Sequence, residues 1–118
     1  MLLVIVRYSD KVDGADVARL CLKLPILVAD FLGMDKTQPE LDESEVEVWV
    51  MPHDVRDVNP KDIGITILAD DYPERREALN GVSRSIAAVL LEYGQLHHGL
   101  TVNIRVRLAP ADFYAFTT

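Results

Sequence analysis

The sequence is poor in cysteine, in positive charge and in long apolar runs, and each shortage excludes a class of protein. One cysteine, Cys21, allows no intrachain disulfide, so the fold must rest on its core. Lys and Arg number 12 against 19 Asp and Glu, a net charge of −7. Nucleic acid and anionic membranes both need a basic face, so neither is an expected partner. A small anionic ligand stays open, because one or two local cations suffice for it. The apolar opening Met1-Leu2-Leu3-Val4-Ile5-Val6 gives way at once to Arg7 and Asp10. It has no basic segment before it and no small-residue cleavage site after it, so it does not read as a signal peptide. The longest other apolar run, Leu24 to Ala29, falls far short of the roughly 20 residues that span a bilayer. A cytoplasmic protein without a membrane segment is the expectation. No glycine-rich phosphate loop, nucleophile elbow or metal-ligand spacing occurs, so no cofactor and no metal are expected.

What is present suits a packed domain. Hydrophobic residues make up 49% of the chain and charged ones 26%, proportions that form a core and not a disordered coil. The 118 residues suit a single domain over 1–118, with halves at 1–52 and 62–110 and a tail at 111–118. Burial at this size stabilises a monomer only modestly, which favours an oligomer.

Residues 2–8 are apolar and β-branched and read as a buried strand. The spacing of Val17, Leu20, Cys21, Leu24, Val28 and Phe31 or Leu32 predicts a helix over 15–32, with Gly33 at its C-terminal cap. Pro25 lies inside it, so a kink or two shorter pieces are expected there. Residues 34–44 read as a polar loop. Val46, Val48 and Val50 alternate with Glu45, Glu47, Trp49 and Met51, a strand with one face on the core that Pro52 ends. Asn59 and Pro60 separate the halves. Ile63, Ile65 and Ile67 then mark a third strand, and Asp70 or Asp71 is placed to cap a helix with Pro73 in its first turn. Leu79, Val82, Ile86, Val89, Leu90 and Tyr93 form that helix's stripe, which Gly94 ends. Val102, Ile104, Val106 and Leu108 alternate with Asn103, Arg105 and Arg107 in a last strand, closed by Pro110. The order is β-α-β, linker, β-α-β. The fold class is α+β, an α/β sandwich of two β-α-β units related by a pseudo-twofold. A four-stranded mixed sheet carries two helices on one face and a short C-terminal extension. A ferredoxin-like fold shares this element order, and local pattern alone does not separate the two.

The stretch Ile63-Gly64-Ile65-Thr66-Ile67, the helix after Pro73, Val102-Asn103-Ile104-Arg105-Val106 with its apolar-aromatic tail, and Val48-Trp49-Val50-Met51-Pro52 together resemble the macrophage migration inhibitory factor branch of the tautomerase superfamily. That resemblance implies a homotrimer whose sheets surround a central channel, with pockets at subunit boundaries. The family's chemistry depends on an N-terminal proline exposed by loss of the initiator methionine. Its neutral amine is the general base on an enolisable α-keto acid, a task that needs a pKa near the working pH and donors for the developing enolate. Here Leu2 follows Met1. Methionine removal generally needs a small second residue, so Met1 is expected to stay. Its primary amine titrates near about 7.7–8.0 when unperturbed, and lower when buried. It is one residue displaced from the family's geometry, and such chemistry is sensitive to placement. Weak, altered or absent keto-enol isomerase activity is the expectation. The alternative is a non-catalytic oligomeric binding module, tautomerase-like or ferredoxin-like, for a small acid or a protein partner.

Carried over by position, the family's pocket implies Met1 as the amine, Leu2 beside it, and Asn103 and Arg105 on the last strand. It also implies Phe113 and Phe116 in the tail, and Lys36 as the nearest cation after the first helix. Arg105 suits a carboxylate, which a guanidinium grips bidentately. It suits equally an ion-pair network with Arg107, Glu45 and Glu47, across strands or between subunits. The remaining candidates have plainer readings. His97-His98 are adjacent and point apart, so they read as a solvated helix end and not a metal pair. Cys21 reads as a core thiol. Trp49, on a polar strand face, reads as a channel or subunit contact.

Overall fold

The computed structural model describes residues 2–32, 43–92, 99–110 and 116–118. Gly33 at the expected helix cap, most of the polar loop 34–44, Tyr93, Gly94 and the His97-His98 pair lie outside these residues. In order, the elements are β1 (Leu2–Tyr8), α1 (Gly14–Leu32), a 3₁₀ turn at Glu43–Glu45, β2 (Val46–Pro52), β3 (Ile63–Asp70), α2 (Pro73–Glu92) and β4 (Val102–Ala109).

The sheet order is β2-β1-β3-β4. Strands β1 and β2 pair in parallel, as do β3 and β4, while β1 and β3 meet antiparallel at the centre. Each half is thus a β-α-β unit with its two strands side by side. A ferredoxin-like arrangement would separate them, so the pairing excludes that alternative. The register relates the halves by a pseudo-twofold between Ile5 and Thr66, which face each other midway along the central pair.

Alternation decides which face the helices cover. Leu2, Val4, Val6, Ile63, Ile65 and Ile67 are all buried on one face, where they meet Leu20, Leu24 and Val28 of α1 and Ile86 and Leu90 of α2. Asp13 caps α1: its Oδ1 accepts the Ala15 N–H at 3.0 Å, satisfying one of the unpaired donors of the first turn.

Two expectations about the helices are corrected. Helix α1 runs as one element through Pro25. Its apolar stripe is pinned to the sheet on both sides of that residue, by Leu20 and Leu24 before it and Leu27 and Val28 after it. The break lies in α2 instead, where Asn80 (ψ 101°) and Gly81 (φ 108°) leave helical geometry. Tyr72, and not an aspartate, takes the cap position of α2, because its carbonyl accepts the first helical N–H, that of Arg76, at 3.0 Å. Pro73 follows as the first helical residue, as expected. On β2, Val46 is buried and Val48 partly so, but Val50 is 44% exposed.

Candidate functional site

The face of the sheet away from the helices is ordered in rows. Pairing puts Glu47, Leu3, Leu68 and Arg107 in one row across the four strands. The next row holds Trp49, Ile5, Thr66 and Arg105, and the next Met51, Arg7, Gly64 and Asn103. The expected polar face is therefore mixed, with Arg7 and Thr66 among apolar residues on its central strands. Its centre carries Leu3, Ile5 and Leu68, and the acidic side chain stands on one edge strand with Arg105 and Arg107 on the other. Three strand spacings, about 14 Å, separate Glu47 from Arg107 within one chain, too far for an ion pair. Among the described residues neither Arg105 nor Arg107 makes an ion pair.

Of the residues singled out from the sequence, Met1, Lys36 and Phe113 lie outside the described residues. Leu2 is fully buried in the core at the start of β1, between Val46 and Ala69. Asn103 and Arg105 are exposed on the opposite face of the sheet. Leu108, not Arg105, stands level with Leu2. Arg105 is displaced three residues along the strand and two strands across, roughly 14 Å in all. Phe116 is 73% exposed. One chain therefore does not gather these residues at a single point.

The cation at the Leu2 end of the sheet is one that sequence reading missed. Arg75, in the first turn of α2, is only 2% exposed. Its Nε donates to the Leu32 carbonyl at 2.8 Å and a terminal nitrogen donates to the Asp70 carbonyl at 3.0 Å. The guanidinium lies 4.8 Å from the centre of the Tyr72 ring, a cation–π contact. It thus places positive charge on the last carbonyl of α1, the negative end of that helix dipole, which has no basic residue of its own in its last turn. Arg76 beside it grips the Asp71 carboxylate at 2.6 Å. Two adjacent arginines after Pro73 look like a solvated helix face in sequence. Only the approach of α1 to the end of β3 makes one of them buried.

At the other end of the sheet the linker is fastened by carboxylates. Asp62 accepts from both the N–H and the hydroxyl of Thr101, at 2.9 and 3.1 Å, and the backbone donor chiefly holds its carboxyl below the usual range. Asp54, gripped by the Arg56 guanidinium and N–H, is held at about 2. Arg7 pairs with Asp57. His53 Nδ1 is shielded from solvent with no partner among the described residues. Partial burial pushes the Cys21 thiol up, which keeps it protonated at neutral pH. An apolar groove of about 490 Å³ lies between α2 and the start of β4, lined by Arg84, Leu90, Leu91, Leu100 and Ile104 among others. It sits at the Tyr8 end of the sheet, far from Leu2. Among the described residues no group of three or more His, Cys, Asp or Glu is arranged to hold a metal. No helix there is long and apolar enough to cross a membrane.

No protein-family model matches the sequence, and no curated protein matches it. Solved structures do. A macrophage migration inhibitory factor-like protein from Entamoeba histolytica superposes with a TM-score of 0.62 at 10% identity, over 98% of this chain and 95% of that one. A malonate semialdehyde decarboxylase inhibited by 3-bromopropiolate gives 0.55 at 10% identity, over 98% and 89%. A fused 4-OT, a symmetric trimer, gives 0.53 at 16% identity, over 92% and 85%. At such identities the likeness is one of fold. Side-by-side parallel strands in each half, an antiparallel centre and two helices on one face agree with it: the chain has the fold of the tautomerase superfamily.

Proposed function

We propose that this chain is a tautomerase-like homotrimer with weak, altered or absent keto-enol isomerase activity on small α-keto or 2-hydroxydienoic acids. The observation that carries the reading is the burial of Leu2 at the start of β1, in the sequence position where the family holds its catalytic proline. A core leucine there supplies packing and no ring nitrogen. Any base at this end is the Met1 amine, held one residue away from the geometry the chemistry needs. Arg105 and Asn103, on the exposed face of β4, are the proposed carboxylate contacts, with Lys36, Phe113 and Phe116 as further lining. Exposed Trp49 and Met51 on the β2 edge of the open sheet face support an assembly that covers them.

The buried leucine at position 2 favours equally a second reading, a non-catalytic oligomer that binds a small acid without turning it over. Ketonisation of phenylenolpyruvate and of a 2-hydroxydienoate, measured beside titration with phenylpyruvate, distinguishes the two. Slow turnover with saturable binding supports the isomerase, and binding without turnover supports the module. In either case Arg105→Ala is expected to weaken phenylpyruvate by about 1.5–3 kcal/mol, roughly 10- to 150-fold. Equal affinity in the two proteins rejects Arg105 as the carboxylate contact.

A further inference from the structure

We infer that the groove between α2 and the start of β4 binds a free medium-chain carboxylic acid, its head on Arg84 and its chain running toward Leu91 and Leu100. This goes beyond the keto-acid site proposed above. The groove lies on the helix side of the sheet, within one chain, and shares no residue with that site.

The sheet leaves this space open. Ile63 and Ile65 are buried beneath the helices, yet Val102 and Ile104, their partners on β4 and on the same face, stay only partly buried. Above them α2 buries Ile86 and Leu90 but leaves Leu91 79% exposed. The volume between, about 490 Å³, falls in the range of small-ligand sites. Apolar side chains dominate its wall, and an apolar occupant would take them out of water.

The polar part of the wall selects the head group. Arg84 is its one charged residue and Ser83 beside it offers a hydroxyl. The helix positions three and four residues from Arg84 are Asn80, Gly81, Ala87 and Ala88, so no acid stands within reach along α2. Among the described residues Arg84 makes no ion pair. A lone guanidinium beside an apolar wall matches one carboxylate on an apolar body. A peptide fits less well. It brings an N–H and a carbonyl at every residue, and beyond Ser83 and Arg84 the wall has no side chain to satisfy them. A methylene chain needs no such partners.

The direction of the acid follows from the topology. Strand β3 delivers the chain to the Leu2 end of the sheet, α2 carries it back, and β4 begins beside Ile63 at the Tyr8 end. Arg84 and Ile104 therefore lie toward the middle of the sheet, and Leu91 and Leu100 toward its end. Seven helical residues put Leu91 about 10 Å beyond Arg84, the length of an extended acid of about eight carbons.

Calorimetric titration of the full chain at pH 7.5 with hexanoate, octanoate and octan-1-ol tests this. Octanoate is expected to bind about 15-fold more tightly than hexanoate, since each buried methylene is worth about fourfold. Arg84→Gln is expected to weaken octanoate about tenfold or more and to leave octan-1-ol unchanged, because only the acid uses the guanidinium. Leu91→Asp sets a charge in the path of the chain and is expected to weaken both ligands. Arg107→Gln, on the opposite face of the sheet, is expected to bind octanoate like wild type. All three side chains are exposed, and matching circular dichroism and melting curves verify folding. Absence of octanoate binding to the wild type overturns the inference. So does equal weakening by Arg107→Gln, which would reveal diffuse attraction to positive charge. Octanoate affinity indifferent to Arg84→Gln or to Leu91→Asp overturns it as well. Affinity that falls as protein concentration rises would mean that a second copy of the chain fills the groove, and also overturns it. None of these results bears on Arg105, whose keto-acid titration stands or fails separately.

Discussion

Replacing Arg75 by methionine tests whether the buried guanidinium joins the two halves of the molecule. The wild-type side chain satisfies two carbonyls, that of Leu32 at the end of α1 and that of Asp70 at the end of β3. Methionine fills a similar volume and donates to neither. A buried carbonyl deprived of its donor costs about 1–3 kcal/mol, so the two together cost about 2–6 kcal/mol. Part of this is offset, because the variant no longer has to remove a charge from water. A net loss of about 2–4 kcal/mol is expected. With an unfolding entropy of about 2 cal/mol/K per residue, a chain of this length melts about 4 °C lower for each kcal/mol lost, or about 8–16 °C in all. Arg75→Lys keeps the charge but reaches one carbonyl as a point donor, so it is expected to lose roughly half as much. Urea and thermal unfolding at neutral pH give both values. A methionine variant within about 2 °C of wild type refutes the clamp.

Three further outcomes follow from other residues. Asp62 is depressed in the folded state by its Thr101 donors, so its contribution to stability is full above the unfolded carboxylate value near about 3.9 and is lost as pH falls through the folded value. The difference in urea midpoint between wild type and Asp62→Asn should therefore shrink as pH drops below about 4, and a gap independent of pH contradicts the assignment. Gly81→Ala places a Cβ in open space at φ 108°, so its cost is backbone strain alone, about 1–2 kcal/mol, and a neutral result in thermal melts would show that the α2 break is not required. With its thiol pushed up by burial, Cys21 should react with iodoacetamide at pH 7.5 several-fold more slowly than a free small thiol. Equal rates would count against that burial.

The strands were legible because alternation carries over directly into burial. Val46 and Val48 against Glu47 and Trp49, and Ile63, Ile65 and Ile67 against Gly64 and Thr66, mark their faces without any tertiary knowledge. Strand partners were not legible, since both candidate folds accept the same local pattern. The adjacency of β1 with β2 and β3 with β4 is a long-range fact. Proline drew the expected kink to α1, yet packing on both sides of Pro25 holds that helix as one element. The Asn80-Gly81 pair in α2 was the stronger signal, because that dipeptide suits turn geometry and α2 takes positive φ there. In the candidate site, Arg105 was visible as a cation on the outer face of its strand. Arg75 was not, because its burial is made by α1 meeting the end of β3, far apart in the chain.

The central pairing of β1 with β3 has a consequence for the order of folding. Its contacts span from 55 residues, Tyr8 to Ile63 (63 − 8), up to 67 residues, Leu2 to Ala69 (69 − 2). Each β-α-β half can form its own crossover first, but the inner edges of β1 and β3 stay unpaired until the other half arrives. The seam between them therefore sets the pace, as non-local pairing slows folding generally. Until it closes, each half presents a bare strand edge along β1 or β3. During synthesis the first half waits with that edge open until β3 has emerged, and in this interval the chain is most exposed to pairing with the wrong copy of itself.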